Sequence, residues 1–350
     1  MTTAEPAGHA RPTFVVAVGA CAILAAVVAT LWPLFVYTVS LATLGLAHVL
    51  TELRYVDARF GRRLPDRFWL AVGALLVVLV GLRGITLGGW LPAGALAPTE
   101  LLLLSVVLVT AAGPLAAAAR QSTRQPGAVA ALVATVALVS VVVYGALRGP
   151  LELLVLFAVL HNATPLLFLV ERAPPGRRRL AAVATTALFV GVPALVAAGA
   201  TTTLLSEAID LHARPWRTGS LVEHYVAYLP PALRGDPRAA QLFSAAVTAQ
   251  LLHYGAVIVW LPRTLGADER PRLPWPRSPV FAVVVVALSA GLLAHFVVDF
   301  VGARALYGLA AAVHAWLEWP VLLAALGGLG ADDVGDVRDG GRDAGAPAAR

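Results

Sequence analysis

The sequence has no lysine, one cysteine, one methionine and only 13% charged residues. A soluble globular chain carries about 25% charged residues, so this shortage excludes an ordinary soluble enzyme and an acidic or basic disordered chain. The single cysteine, Cys21, excludes an intrachain disulfide, a CxxC metal site and a cysteine-held iron–sulfur cluster. Whole motifs are missing as well. There is no P-loop, no GxGxxG ahead of a strand, no GxSxG and no HExxH. The clustered HxxxH and HxxHH boxes of membrane desaturases and hydroxylases are absent too. No internal repeat is visible, which gives no support to an inverted-repeat transporter.

What is present is apolar surface. Of 350 residues, 59% are apolar, and the mean hydropathy is +0.79. Several runs reach about 18 residues, the length that crosses a bilayer. The pattern predicts an all-α, polytopic membrane bundle of ten spans, at 13–32, 33–52, 68–87, 99–119, 127–147, 151–171, 180–199, 239–262, 278–298 and 304–325. A single helix over 13–52 would be about 60 Å long, twice the hydrocarbon core. A hairpin at the Leu31-Trp32-Pro33 corner is therefore expected. The Gly/Pro-rich stretch 81–98 is expected to dip into the interface.

The arginines sit between apolar runs, so the sequence pI near 10.1 reads as topology rather than nucleic-acid binding. Arginines concentrate in the connections after spans two, four, six and eight, including Arg177-Arg178-Arg179. By the positive-inside rule both termini are then cytoplasmic, in a bacterial plasma membrane. Residues 1–12 form an N-terminal tail, 13–330 a single membrane domain with an outer loop at 200–238, and 331–350 an Asp/Gly/Ala-rich disordered tail.

Five of the eight histidines fall inside predicted spans: His48, His161, His253, His295 and His314. Ionisable groups at membrane depth are costly, face the protein interior and mark functional sites by default. Three have an acid four residues later: His48/Glu52, His295/Asp299 and His314/Glu318. Residues at i and i+4 share one helical face, so each pair can bind one ion, or the acid can orient the imidazole.

Depth sorts these groups into two levels. At 1.5 Å per residue, His161 and His314 lie about 15 Å below the outer span ends, and His48, His253 and Glu318 about 21–22 Å below. Those five share a slab about 7 Å thick, with Glu52 one turn deeper. The inner candidate metal set is thus His48, Glu52, His161, His253, His314 and Glu318, with Asn162, Tyr254 and Tyr307 as second-layer partners. An outer candidate site holds His295 and Asp299, joined by Asp210, His212 and His224 from the long loop. Glu100 and Glu152 are expected to begin helices at the outer surface, where a carboxylate suits the positive helix end.

Imidazoles with carboxylates suit iron, zinc or manganese. The leading expectation is a metal-dependent oxidoreductase acting on a lipophilic small molecule, such as an isoprenoid or acyl chain, reached from the lipid bilayer. The alternatives are a haem-binding electron-transfer protein, with imidazoles as axial ligands, and a proton- or metal-coupled transporter. The buried carboxylates weigh against haem, which does not need them.

Overall fold

The computed structural model describes residues 12–121 and 126–329. The expected tails at 1–12 and 331–350 lie outside the described residues, apart from Pro12. The described residues form helices and loops with no strand, and nine helical stretches are long and apolar enough to cross a membrane. They are joined by α1, Pro12–Leu31, whose described apolar part is shorter. The fold is an all-α membrane bundle.

Each expected span has its helix. After α1 come α2 (Pro33–Phe60), α3 (Asp66–Leu87), α4 (Ala93–Gln121) and α5 (Pro126–Arg148). Trp32 has φ −138° and ψ 65°, and Pro33 starts α2. Proline has no N–H to donate and clashes with the preceding turn, so the chain turns there instead of continuing. Both ends of the 81–98 stretch are helical, and only the turn between Leu87 and Ala93 is irregular.

The sixth span is broken. Helix α6 (Pro150–His161) stops at His161, and α7 (Thr164–Arg172) restarts three residues later. Pro165 is the cause, because its ring cannot coexist with a helical carbonyl at His161. The Thr164 hydroxyl lies 2.6 Å from that carbonyl and caps it. The seventh span is α8 (Arg178–Thr186), a π-helical turn over Ala187–Gly191 and α9 (Val192–Ala197). The loop beyond holds α10 (Ala200–Leu205) and α11 (Leu221–His224). Then α12 (Ala239–Gly255) runs into a second π-helical turn, Ala256–Trp260. The bundle closes with α13 (Ser278–Val298) and α14 (Phe300–Leu326).

Helices α2, α12 and α14 are the most buried, and α2 packs against both of the others. Outward faces carry apolar side chains such as Val77 and Val133, as contact with lipid requires. The 200–238 loop folds back as a cap. Its Leu221, Tyr225 and Leu229 pack with Tyr37, Phe243, Phe296 and Phe300. On the opposite side, Glu269 binds Arg59, Arg63 (3.1 Å) and Arg172 (2.9 Å), and Arg59 also binds Glu171 at 2.5 Å. Asp57 accepts from the Leu273 N–H at 2.8 Å and from Trp275 Nε1 at 2.9 Å. These contacts tie the end of α2 to α7 and to the 265–277 segment, and so fix the helix that carries His48.

Candidate metal centre

Four helices each deliver one imidazole to one place. His48 comes from α2, His161 from the broken end of α6, His253 from α12 and His314 from α14. Each offers a ligand nitrogen, and all four nitrogens lie within 4.8 Å of one another. The His314 Nε2 is 3.1 Å from His48 Nε2 and 2.9 Å from His161 Nε2. The His253 ring stands 5.2 Å from that of His48 and 4.6 Å from that of His161, centre to centre. His48, His253 and His314 are buried, and His161 is 12% exposed.

Proton counting limits what hydrogen bonding alone can do for this group. A ring nitrogen is either a donor or an acceptor, never both. His314 Nε2 has two imidazole nitrogens beside it, so it can satisfy only one polarity. Around a tetrahedral ion with bonds of about 2.0–2.1 Å, ligand atoms stand about 3.3 Å apart. The observed 2.9 and 3.1 Å separations need to open by only a few tenths of an ångström. This four-histidine group can bind a metal ion.

The carboxylates stand beside the rings. Glu318 Oε2 is 2.6 Å from His161 Nδ1, oblique to the ring, and is held by the Thr164 hydroxyl at 2.9 Å. Glu52 Oε2 is 3.6 Å from His253 Nε2. Both acids are 1% exposed. Both Glu52 oxygens and Glu318 Oε1 lack a hydrogen-bond partner. An unpaired buried carboxylate is costly, so these oxygens call for a proton or a cation. The group brought together is four imidazoles, with Glu318 beside His161 and Glu52 beside His253.

The other expected partners divide. Tyr254 stacks on the His48 ring at 4.2 Å, and Tyr307 tilts toward it at 6.5 Å. Only Tyr254 meets the ring face to face. Asn162 does not serve the histidines. Its amide donates to the Ala158 carbonyl at 2.9 Å and closes the end of α6.

The outer candidate residues do not assemble. Among the described residues, the four histidines are the one group of three or more such side chains close enough to share an ion. Asp299 sits where α13 ends, and its side chain accepts from the Gly302 N–H at 3.0 Å to cap α14. The helix break thus cancels the i, i+4 relation with His295. Asp210 closes a turn by accepting from the N–H groups of His212 and Ala213. His224 is 2.6 Å from the Thr218 carbonyl and packs on Tyr37 and Phe300. Burial pushes the His224 imidazole down from its ordinary value, and the nearby Arg304 charge acts the same way.

No family model, no curated protein and no solved structure matches this chain. The centre must be read from its own geometry.

A cavity of about 380 Å³ opens above the four histidines. Its wall includes Tyr37, Arg83, Phe157, Arg304 and Trp316. Arg83 pairs with Glu100 through two bonds, 3.1 and 2.5 Å, and donates to the Gly308 carbonyl at 2.8 Å. Trp316 Nε1 donates to Glu100 at 2.8 Å. Glu100 is therefore corrected: it does not begin a surface helix. Helix α4 starts seven residues earlier, and the carboxylate is 1% exposed. Glu152, by contrast, lies in the first turn of α6 and is exposed, as expected. Trp316 likewise does more than pack. An arginine within an apolar run was the available signal, since intramembrane charge marks Arg83 as firmly as it marks the histidines.

Proposed function

We propose that the protein is a membrane metal-dependent oxidoreductase acting on a lipophilic chain that enters the cavity over the four histidines. One observation carries the reading. Two buried carboxylates with orphaned oxygens stand beside an imidazole set whose nitrogens approach one another. Four neutral imidazoles, two carboxylates and one divalent ion sum to zero charge, the state that lipid tolerates best. A carboxylate behind a ligand histidine fixes its orientation and raises its basicity.

Ion type follows from coordination number. Four histidines around tetrahedral zinc would leave no open position, as in a closed structural site. On a six-coordinate ion they leave two positions for oxygen and substrate. Iron or manganese is accordingly favoured over zinc. A haem between two axial imidazoles needs their nitrogens about 4 Å apart, with a macrocycle's breadth between them. The 2.9 and 3.1 Å contacts suit a bare ion instead. When bound, the ion would activate oxygen or water. The chain's own part is to hold the imidazoles, shield them from bulk water and admit an apolar molecule.

The test is oxygen uptake by the purified, iron-loaded protein with bacterial membrane lipids, with isotope-labelled oxygen followed into products by mass spectrometry. Label in an isoprenoid or acyl product is expected. Stoichiometric zinc with no oxygen uptake would contradict the oxidoreductase reading.

A further inference from the structure

The cavity over the histidines carries its charge unevenly. Arg83 and Arg304 line one part of it and the four imidazoles another. Among the described residues no carboxylate lines it. Arg83 is neutralised by Glu100 through two bonds. Arg304 is half-buried beside the Tyr37 hydroxyl. Among the described residues it forms no ion pair with any carboxylate. The unbalanced charge of the cavity wall is therefore at Arg304.

Distance and wall chemistry define what would fit. Arg304 and His314 are ten residues apart on α14, which is about 15 Å along the axis. Between them α14 contributes Tyr307, Gly308, Ala311 and Ala312 to the wall, and Leu41 and Phe157 come from α2 and α6. The alanines leave room, and apart from the Tyr307 hydroxyl, which lies against Tyr254, these side chains offer no hydrogen bond. A guanidinium with no carboxylate at a partly desolvated site favours an anion beside it. Its planar fork matches carboxylate and phosphate oxygens.

We infer that the cavity takes an amphiphile with one anionic head group, a carboxylate or a phosphate, seated on Arg304 beside Tyr37, its apolar chain running to the histidines. This deepens the reading of the cavity as a substrate site and rests on it. The reacting position would lie about 15 Å from the head, within the chain.

Binding of three radiolabelled probes tests this, using the full protein in nanodiscs of zwitterionic lipid: dodecanoate, dodecyl phosphate and dodecanol. At least one anion should bind about tenfold more tightly than dodecanol, the scale of a hydrogen bond to a charged group. The tighter of the two anions identifies the head group. Arg304→Gln should abolish the preference, with dodecanol binding and metal content unchanged, and Arg304→Lys should keep part of it. Tyr37→Phe, which preserves the ring packing, should lower the preference by about threefold. Equal binding of all three probes to the unaltered protein, or an intact preference in Arg304→Gln, overturns the inference while leaving the metal centre standing. Binding of none of the probes overturns the substrate cavity itself, and this inference with it.

Discussion

At the scale of single residues, the centre is set by what its polar atoms lack. His253 is buried with neither ring nitrogen hydrogen-bonded, and Glu52 has no hydrogen-bond partner for either oxygen. Such groups persist in lipid only if they are neutralised or if a charged partner completes them. Glu318 is the clearest supporting residue, since it touches His161 and is held by Thr164. Glu318→Gln should weaken metal affinity by about 10–100-fold, the usual effect of losing such a partner. Competition against a chelator of known affinity measures it, and an unchanged affinity would deny Glu318 that role. The four histidines were legible in the sequence because one polar residue per span, all at one depth, leaves little other use for them. Asn162 was not legible. Its amide turned to its own backbone once Pro165 ended the helix, and spacing alone does not reveal that local competition. Arg83 and Glu100 were missed for another reason. Their pairing joins α3 to α4, and no periodicity within one helix reports a contact between two.

Among the helices, breaks and close approaches do the positioning. The interruption between α6 and α7 places His161 at a helix end, where its ring can face the bundle axis. The break at Asp299 does the opposite for His295/Asp299, turning the acid into a cap. Spans were legible because lipid demands apolar length, whereas such breaks depend on which carbonyls find partners. Helix α2 meets α14 at Gly45, where an added Cβ would stand 3.0 Å from Tyr307 Cε2. Gly45→Val should displace Tyr307 from beside His48 and cost about 1–3 kcal/mol in stability by overpacking. A calorimetric melt of the purified protein checks this, and an unchanged melting temperature would mean the crossing is loose. At the other end of α2, burial pushes the Glu269 carboxylate up, but the Gly266 N–H and the Arg59 and Arg172 guanidiniums outweigh it and hold the group below its ordinary value. A depressed carboxylate adds stability above its ordinary value of 4.5 and loses it as pH falls through the lower folded value. The melting temperature should therefore fall on acidification from about pH 5. The step should be smaller in Glu269→Gln, and an identical step in both proteins would remove this network from the account.

For the whole molecule, the bundle has a capped side, where 200–238 covers the ends of α2 and α12–α14, and an arginine-rich side, where Glu269 gathers three guanidiniums. The positive-inside rule assigns the arginine-rich side to the cytoplasm. Reporter fusions should place 177–179 inside and 205–235 outside, and finding both on one side would break the proposed topology. Between the two sides lies the centre on which the functional reading depends. The most direct measurement is metal stoichiometry by mass spectrometry in the purified protein and in His161→Ala and His314→Ala, with circular dichroism as the check on the helical fold. The prediction is about one divalent ion per chain in the unaltered protein, and its loss in both variants with helicity retained. Metal content unchanged in both variants would contradict the account.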